Sequence, residues 1–337
     1  MNLLQSDIGD QVAEPIVSIR TALDKAHRVL VVSHIDPDGD ALGTQLAFGQ
    51  YLKDLGKQVF MVRDSAVPDK YRFLPAIEEI TPAAELPADI QVDTAVILEC
   101  PVLDRVGSAA RLLTKDVTVI NIDHHRDGAQ HGHINWIDIH RSSVGEMAYE
   151  YFLGVDYHVS DRVATQLYTA ILTDTGRFRF ATTTPRTMAI AGALIEKGAD
   201  PRYICDRVYF DMPASTMLLT GKVLAGMEFH LEGRICLFSL TKAMLKECGA
   251  QASESDGLVD FTLYTRGVTT GALLKEVNGS STKVSLRSNN GVNVARVAAQ
   301  FGGGGHFGAA GCELRMPLAD AREAIIRALK EANAQAG

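Results

Sequence analysis

Several large protein classes are excluded by what this sequence lacks. It has five cysteines in 337 residues, Cys100, Cys205, Cys236, Cys248 and Cys312, an odd number with no C-x-x-C pair. That pattern indicates neither a disulfide framework nor a zinc ribbon, and reads as the reduced thiols of a cytosolic protein. No stretch reaches the roughly 18 apolar residues of a membrane span. The opening MNLLQSDIGDQVAEP has no positive start followed by an apolar core. The expectation is a soluble, cytoplasmic chain with no membrane partner. Positive charge is also scarce: 33 Lys and Arg stand against 41 Asp and Glu, a formal net charge of -8. A protein that grips long nucleic acid nonspecifically should be basic, so any nucleic-acid substrate is expected to be short and locally held. Internal repeats and low-complexity tracts are missing too.

What is present is ordinary in bulk, with 46% hydrophobic and 22% charged residues, and long enough for two cores. The unusual stretch is VVSHIDPDGDALGT (Val31 to Thr44), where His34, Asp36, Asp38 and Asp40 fall within seven residues. The run RVLVV before it reads as a buried parallel strand. After it, Leu42, Leu46, Phe48, Leu52 and Leu55 recur at helical spacing, with Gly56 as the stop. The acids therefore occupy a strand-to-helix turn at the carboxyl end of a strand, where open α/β sheets bind ligands. Their mutual repulsion calls for a cation. For Asp36 alone, a turn-forming role in I-D-P-D-G is the competing explanation.

The rest of the chain adds to that edge. A helical segment is expected from Ser6 to Lys25, a second strand at Gln58 to Val62, and mostly loop from Asp64 to Ala88. Strands TAVILEC (Thr94 to Cys100) and VTVINI (Val117 to Ile122) follow, ending in Glu99 and in Asp123, His124 and His125. Three strands that end in ligand-type residues predict one site along one sheet edge. Ser143 to Glu146 has the form of a capping box opening a helix. Another helix, Ser160 to about Thr173, reaches Asp174, an acid that the helix dipole disfavours and that needs a compensating cation. Thr184-Pro185 starts a further helix. Later segments alternate as strands joined by Gly- and Asn-containing turns, then Asn293 to Phe301 reads as helix, GGGGHFGAAG as the opening of a strand, and Leu318 to Ala334 as a closing helix. The predicted divisions are 1–190, a helical linker 191–225, and a smaller mixed α/β domain 226–337.

Gly303, Gly305 and Gly308 satisfy G-x-G-x-x-G, but after a helix and before a strand, the reverse of a dinucleotide-binding turn. The better account is a bare backbone at Gly303, Gly304 and Gly305 that lets a phosphate or base approach, with His306 at its exit. A tight turn needing positive φ explains one or two of the glycines, not four in a row. Between Tyr264 and Arg315 six basic residues face two acids, a local excess of four, although Lys275, Lys283 and Arg296 fit a solvated surface better than contact.

His34, Asp38, Asp40, Glu99, His124 and Asp174 form a mixed imidazole and carboxylate set that suits Mn²⁺ or Mg²⁺. Four carboxylates balance two divalent ions, and Glu99, from a central strand, is the natural bridge. His125 is then available to steady a leaving or nonbridging oxygen.

SHIDPDGDALGT, NIDHH, LTDTG and GGGGHFGAAG, in that order across nearly the whole chain, resemble the successive motifs of the DHH phosphoesterase family, in its oligoribonuclease and 3'-phosphoadenosine 5'-phosphate phosphatase branch. The resemblance implies a Rossmann-like parallel-sheet domain followed by a smaller α/β substrate domain. It implies one Mn²⁺ on His34 and Asp38, the other on Asp40, His124 and Asp174, and Asp123 orienting the site. Arg287 and His306 would bind the substrate nucleotide. The family usually has Asp where this chain has Glu99, which leaves the bridging ligand the least secure. The implied activity is hydrolysis of short oligoribonucleotides to nucleoside 5'-monophosphates, or of 3',5'-bisphosphonucleotides (pAp) to AMP. A soluble cyclic- or linear-dinucleotide phosphodiesterase is the alternative within the enzyme class. A nucleotide-binding protein weakened in catalysis by Glu99 is the alternative outside it. A homodimer is compatible with all of these.

Overall fold

The computed structural model describes residues 10–87, 89–125, 128–289 and 291–336, with the side chains of residues 10–13, 306 and 336 outside that description. The chain forms two compact units, Met1–Asp211 and Met212–Gly337.

In the first unit, α1 (Asp10–Lys25) leads into β1 (Arg28–Val32), α2 (Gly39–Asp54) and β2 (Gln58–Arg63). Then come β3 (Thr81–Pro82), β4 (Thr94–Leu98), β5 (Thr118–Asp123) and β6 (Ile134–Ile137), followed by α3 (Val144–Gly154), α4 (Asp161–Asp174), α5 (Pro185–Glu196) and α6 (Pro201–Cys205). The helix expected to start at Ser6 is described only from Asp10. The stretch read as loop between Asp64 and Ala88 holds short 3-10 turns and β3, because two residues carry no periodicity to detect. β6, four residues long, escaped sequence reading for the same reason.

The six strands pair in parallel in the order β3-β2-β1-β4-β5-β6. Both faces are covered, as a parallel sheet requires. Val29, Val31, Val96, Leu98, Ile120 and Ile122 join one core with the buried side chains of α2, α3 and α4. Leu30, Val32, Ala95, Ile97 and Val119 join another on the opposite face. The chain reverses its direction of strand addition between β1 and β4, so the loops leaving those neighbours diverge and open a crevice at their carboxyl ends.

Two glycines set how closely α2 approaches α4. A Cβ on Gly39 would lie 2.4 Å from Thr173 Oγ1, and one on Gly43 would lie 2.3 Å from the Gln166 carbonyl. Any larger residue would push the helices apart, and Asp38 and Asp40 on α2 would move away from Asp174 on α4.

The second unit contains α7 (Ala214–Ala225), β7 (Glu228–His230), β8 (Ile235–Leu240), α8 (Lys242–Cys248), β9 (Thr270–Asn278), β10 (Ser281–Ser288), α9 (Val294–Ala299), β11 (Gly304–His306), β12 (Ala309–Leu314) and α10 (Leu318–Ala336). Its six strands run in the order β11-β12-β10-β9-β8-β7, with only the β8 and β9 pair parallel. Apolar residues of β8, β9, β10 and β12 pack on α9 and α10. A second cluster on the other face includes Leu219 and Val223 of α7.

Candidate metal centre

The carboxyl edge of the parallel sheet collects the polar side chains. His34 follows β1, Glu99 follows β4, and Asp123 ends β5 with His124 and His125 beyond it. Asp38 caps α2, its Oδ1 accepting from the amides of Asp40 (3.0 Å) and Ala41 (3.1 Å). Asp40 sits in the first turn, fully buried, and Asp174 at the last turn of α4. Three groups bring ligand atoms within 4.8 Å of one another: His34, Asp38 and Glu99; Asp40, Glu99, His124 and Asp174; and Glu99, His124 and His125. Glu99 belongs to all three. Asp36 belongs to none of them; it is exposed with φ 55, as the turn explanation requires.

Asp40 is held from three directions, by Thr44 Oγ1 (3.0 Å), the Val144 amide (2.7 Å) and the Gly145 amide (2.8 Å). The last two are the free amides at the start of α3, a natural anion cradle. The resulting helix start is only half the capping box expected. Ser143 Oγ does accept from the Glu146 amide at 3.0 Å, but the Glu146 carboxylate turns to the Ser142 amide (3.3 Å) and Thr187 Oγ1 (2.8 Å). Thr187, one turn into α5, competes for it successfully.

The ring nitrogens show what the centre is missing. His34 Nδ1 lies 2.6 Å from the Ile35 carbonyl, an acceptor that favours a proton on Nδ1 and a lone pair on Nε2. Arg105 Nη2, which can only donate, lies 3.0 Å from the same Nδ1 and favours the opposite tautomer. That Nε2 faces Glu99 Oε2 at 3.4 Å. In the same way His124 Nδ1 points to the Arg141 carbonyl at 3.2 Å, and its Nε2 faces Asp174 Oδ2 at 3.3 Å. Two acceptors facing each other repel unless a proton or a cation lies between them. Glu99 Oε2, His124 Nε2 and Asp123 Oδ2 are buried without a hydrogen-bond partner. Most buried polar atoms in proteins are paired, so the unpaired atoms of Glu99 and His124, which converge, fit the ligation of a cation.

Protonation follows the same logic. Burial first, then repulsion from Asp38 and Asp40, pushes Glu99 well above the usual carboxylate range. Burial and the same two acids do so for Asp174. Asp40 is raised by burial as well. Its three hydrogen bonds, each worth about 1.5–3 kcal/mol to a charged group, work against a burial penalty of several kcal/mol. Burial pushes His34 down, which keeps its imidazole neutral and suited to ligation. Burial alone would raise Asp123, but hydrogen bonding and attraction from His125 outweigh it and hold the carboxyl low. His125 Nδ1 bonds Asp123 Oδ1 at 2.7 Å. Where a compensating cation was expected beside Asp174, the group that faces its carboxylate is the His124 ring, through Nε2.

Glu99 leaves β4 with φ 54, a left-handed conformation that non-glycine residues seldom adopt. Its amide bonds the Ile122 carbonyl at 3.0 Å, anchoring the strand end while the backbone turns.

The expected substrate residues lie in the second unit. Arg287, on β10, already bonds Asp260 Oδ1 through Nε at 2.8 Å and the Leu286 carbonyl through Nη1 at 3.1 Å. A Cβ on Gly303 would lie 2.2 Å from the Gly311 carbonyl, while Gly302 and Gly305 have φ 75 and 143. Backbone geometry therefore accounts for three of the four consecutive glycines, more than sequence reading allowed. Gly302 and Gly304 both have open space where a Cβ would sit, and of the two only Gly304 is also free of a positive φ. His306 contributes backbone to β11, and its side chain lies outside the described residues.

Sequence reading missed Arg105, Thr44, Arg141 and the amides of Val144 and Gly145. It also passed over Glu150, although an acid surrounded by apolar residues in EMAYEYF is itself a signal of a buried charge.

Comparison with known proteins agrees with this arrangement. The DHH family, N-terminal domain, matches residues 28–172 and the DHHA1 domain residues 240–335. The bifunctional oligoribonuclease and PAP phosphatase NrnA of Thermus thermophilus is 35% identical over 313 residues, covering 92% of this chain and 91% of that protein. The protein of the same name from Bacillus subtilis is 26% identical over 292 residues, covering 85% and 89%. Among solved structures, an exopolyphosphatase-related protein from Bacteroides fragilis matches with a TM-score of 0.90 at 27% identity, covering 94% of this chain and 96% of that one. RecJ from Thermus thermophilus shares the fold at a TM-score of 0.51 and 13% identity, over 95% of this chain and 55% of that one. A parallel sheet with acids and histidines along its carboxyl edge, followed by a DHHA1 domain, is thus matched along nearly its full length by curated relatives, and the chain belongs to the DHH phosphoesterase family.

Proposed function

We propose that this protein is a two-metal phosphoesterase that hydrolyses short oligoribonucleotides to nucleoside 5'-monophosphates and pAp to AMP. The observation that carries the reading is the convergence of three groups of imidazole and carboxylate donors at one sheet edge, with Glu99 in all three. The NrnA relatives from Thermus thermophilus and Bacillus subtilis supply the substrate classes. His34, Asp38 and Glu99 would hold one ion, and Asp40, Glu99, His124 and Asp174 the other, with Glu99 common to both. Mixed imidazole and carboxylate donors favour Mn²⁺, with Mg²⁺ as the alternative. Bound divalent ions supply an activated water and neutralise the phosphoryl oxygens.

The chain's own contribution is positioning and charge. Asp123, buried and anionic, fixes the His125 ring by Nδ1. His125 retains 19% side-chain exposure, enough for its ring to reach a substrate oxygen. It steadies the nonbridging or leaving oxygen as charge builds there. In the second unit, Arg287 on β10 and the bare backbone at Gly304 take the nucleotide's terminal phosphate or base, with Gly303 just before β11 and Gly305 and His306 on it. Among the described residues no helix is long and apolar enough to cross a membrane, and all five cysteines are free, in keeping with work in a reducing compartment.

The test is a turnover panel with Mn²⁺: a diribonucleotide, a longer oligomer, pAp and a cyclic dinucleotide. Hydrolysis of the diribonucleotide and pAp, abolished by chelation, is the expected result. Turnover of the cyclic dinucleotide alone would replace the substrate assignment. Undiminished hydrolysis after thorough chelation would overturn the metal mechanism.

A further inference from the structure

One buried charge network behind the centre is not used by the reading above. Glu150, on α3, is fully buried, and both of its oxygens are taken by guanidinium groups. Arg141 Nε donates to Oε2 at 3.0 Å, and Arg186 Nε donates to Oε1. Arg141 also meets Asp138 Oδ2 at 3.5 Å through Nη1. Both arginines have 16% side-chain exposure. Burying one carboxylate and two guanidiniums is expensive, and replacing such a set by apolar residues is often neutral or stabilising. A network of this kind therefore calls for a role besides stability.

Its place in the chain supplies one. The backbone carbonyl of Arg141 is the acceptor for His124 Nδ1–H. Three residues on, the Val144 and Gly145 amides hold Asp40. Two ligands of one candidate ion thus depend on the turn from Asp138 to Gly145. That turn is fixed at its start by the Asp138 amide bonding the Asp123 carbonyl at 3.0 Å. At its middle it is fixed through the side chain of Arg141. If the carbonyl of Arg141 swings away, His124 loses the bond that keeps its proton on Nδ1, and Nε2 is no longer held as the metal-facing lone pair.

We propose that Glu150 is a positioning residue for the metal centre: by clamping Arg141, with Arg186 closing the other side, it holds the Arg141 carbonyl where it sets the tautomer and orientation of His124. The inference rests on the metal reading of His124. Glu150 itself touches neither ion nor substrate.

The experiment measures Mn²⁺ binding to the full chain by calorimetry for wild type and Glu150→Gln, with kcat followed against Mn²⁺ concentration. The substitution keeps the shape of the side chain and removes the charge that gathers the two guanidiniums. Expected is a loss of about tenfold or more in affinity at one of the two ions. Activity should fall at limiting Mn²⁺ and recover at saturating Mn²⁺, a split that a merely structural role would not produce. A lower melting temperature with affinity unchanged would overturn the proposal. Should Glu150→Gln fail to fold, nitrogen-15 NMR of the metal-free wild type decides it. A His124 proton on Nδ1 supports the clamp, and a proton on Nε2 overturns it. Failure of the wild type to bind either ion would instead sink the metal reading itself.

Discussion

The carboxyl edge of the parallel sheet and the glycine-rich hairpin of the second unit were both singled out by composition, yet they differ in how complete they are. At the sheet edge Glu99, His124 and Asp123 keep buried atoms without partners, and Glu99 and Asp174 face ring nitrogens at 3.4 and 3.3 Å. At the hairpin, Arg287 is paired to Asp260, and packing or positive φ accounts for Gly302, Gly303 and Gly305. An arrangement that leaves charges unsatisfied points beyond itself to a ligand. One that satisfies its own groups does not, and its function has to come from what it can release.

The sharpest way to break this contrast is to remove a charge from the unsatisfied side. Asp40→Ala or Asp174→Ala should cost about 10³-fold or more in turnover with the fold intact, since each deletes a ligand from a centre that depends on charge balance. Near-normal rates in either variant, with circular dichroism unchanged, would show the edge to be self-sufficient after all.

Glu99 tests the same side more finely. Glu99→Gln should lose metal and most activity, because it removes the charge common to both candidate ions, whereas Glu99→Asp should keep substantial activity. Aspartate also tolerates the left-handed backbone better than glutamate does. A metal-bound structure with Glu99 turned away from both ions would refute the shared role.

On the self-satisfied side the effect should be smaller and confined to recognition. Arg287→Ala should weaken binding of a dinucleotide or pAp by about 1.5–3 kcal/mol, the scale of a charged hydrogen bond. Hydrolysis of a small chromogenic phosphodiester should stay nearly unchanged. Equal losses on both substrates would assign Arg287 to the fold, through Asp260, or to the catalytic centre.

The smallest expected effect is on stability against pH. Glu99 and Asp174 have folded pKa values raised above their unfolded ones by burial and neighbouring acids. The metal-free folded chain therefore holds protons that the unfolded chain has already released. Its stability declines as pH rises from the ordinary carboxylate range, about 4, through the raised values. Thermal denaturation under chelation should show a melting temperature lower at pH 8 than at pH 5 by on the order of 3 °C. Added divalent ion should reverse the loss more at pH 8 than at pH 5, because fewer protons compete with it for the carboxylates. A metal-free profile that rises over this interval would contradict the repulsion inferred at the edge.

Much of the sheet edge was legible because each strand is a short apolar run that ends abruptly in ligand-type residues, as in VLVVSH and VINIDHH. The strand order was not, since nothing local states that β4 pairs with β1 instead of β2. β3 and β6 were missed because two or four residues cannot display a period. The site's hidden half, from Asp138 to Glu150, was read only as a helix start. Its chemistry lies in backbone amides and one carbonyl, which every residue has and no sequence pattern marks. The glycine run is ambiguous in the opposite direction, since freedom at φ and room for a ligand have the same signature in a sequence.

The switch between β1 and β4 has a consequence for biosynthesis. The groups that meet at this edge are drawn from His34 at one extreme and Asp174 at the other, and β4, although made after β2 and β3, inserts beside β1. A growing chain released only as far as β3 carries His34, Asp38 and Asp40 with none of their later partners. The full candidate set is therefore complete only once α4 has been synthesised and packed on α2 through Gly39 and Gly43. A chain that stops before α4 would hold His34, Asp38 and Glu99 without Asp174, only part of the proposed centre.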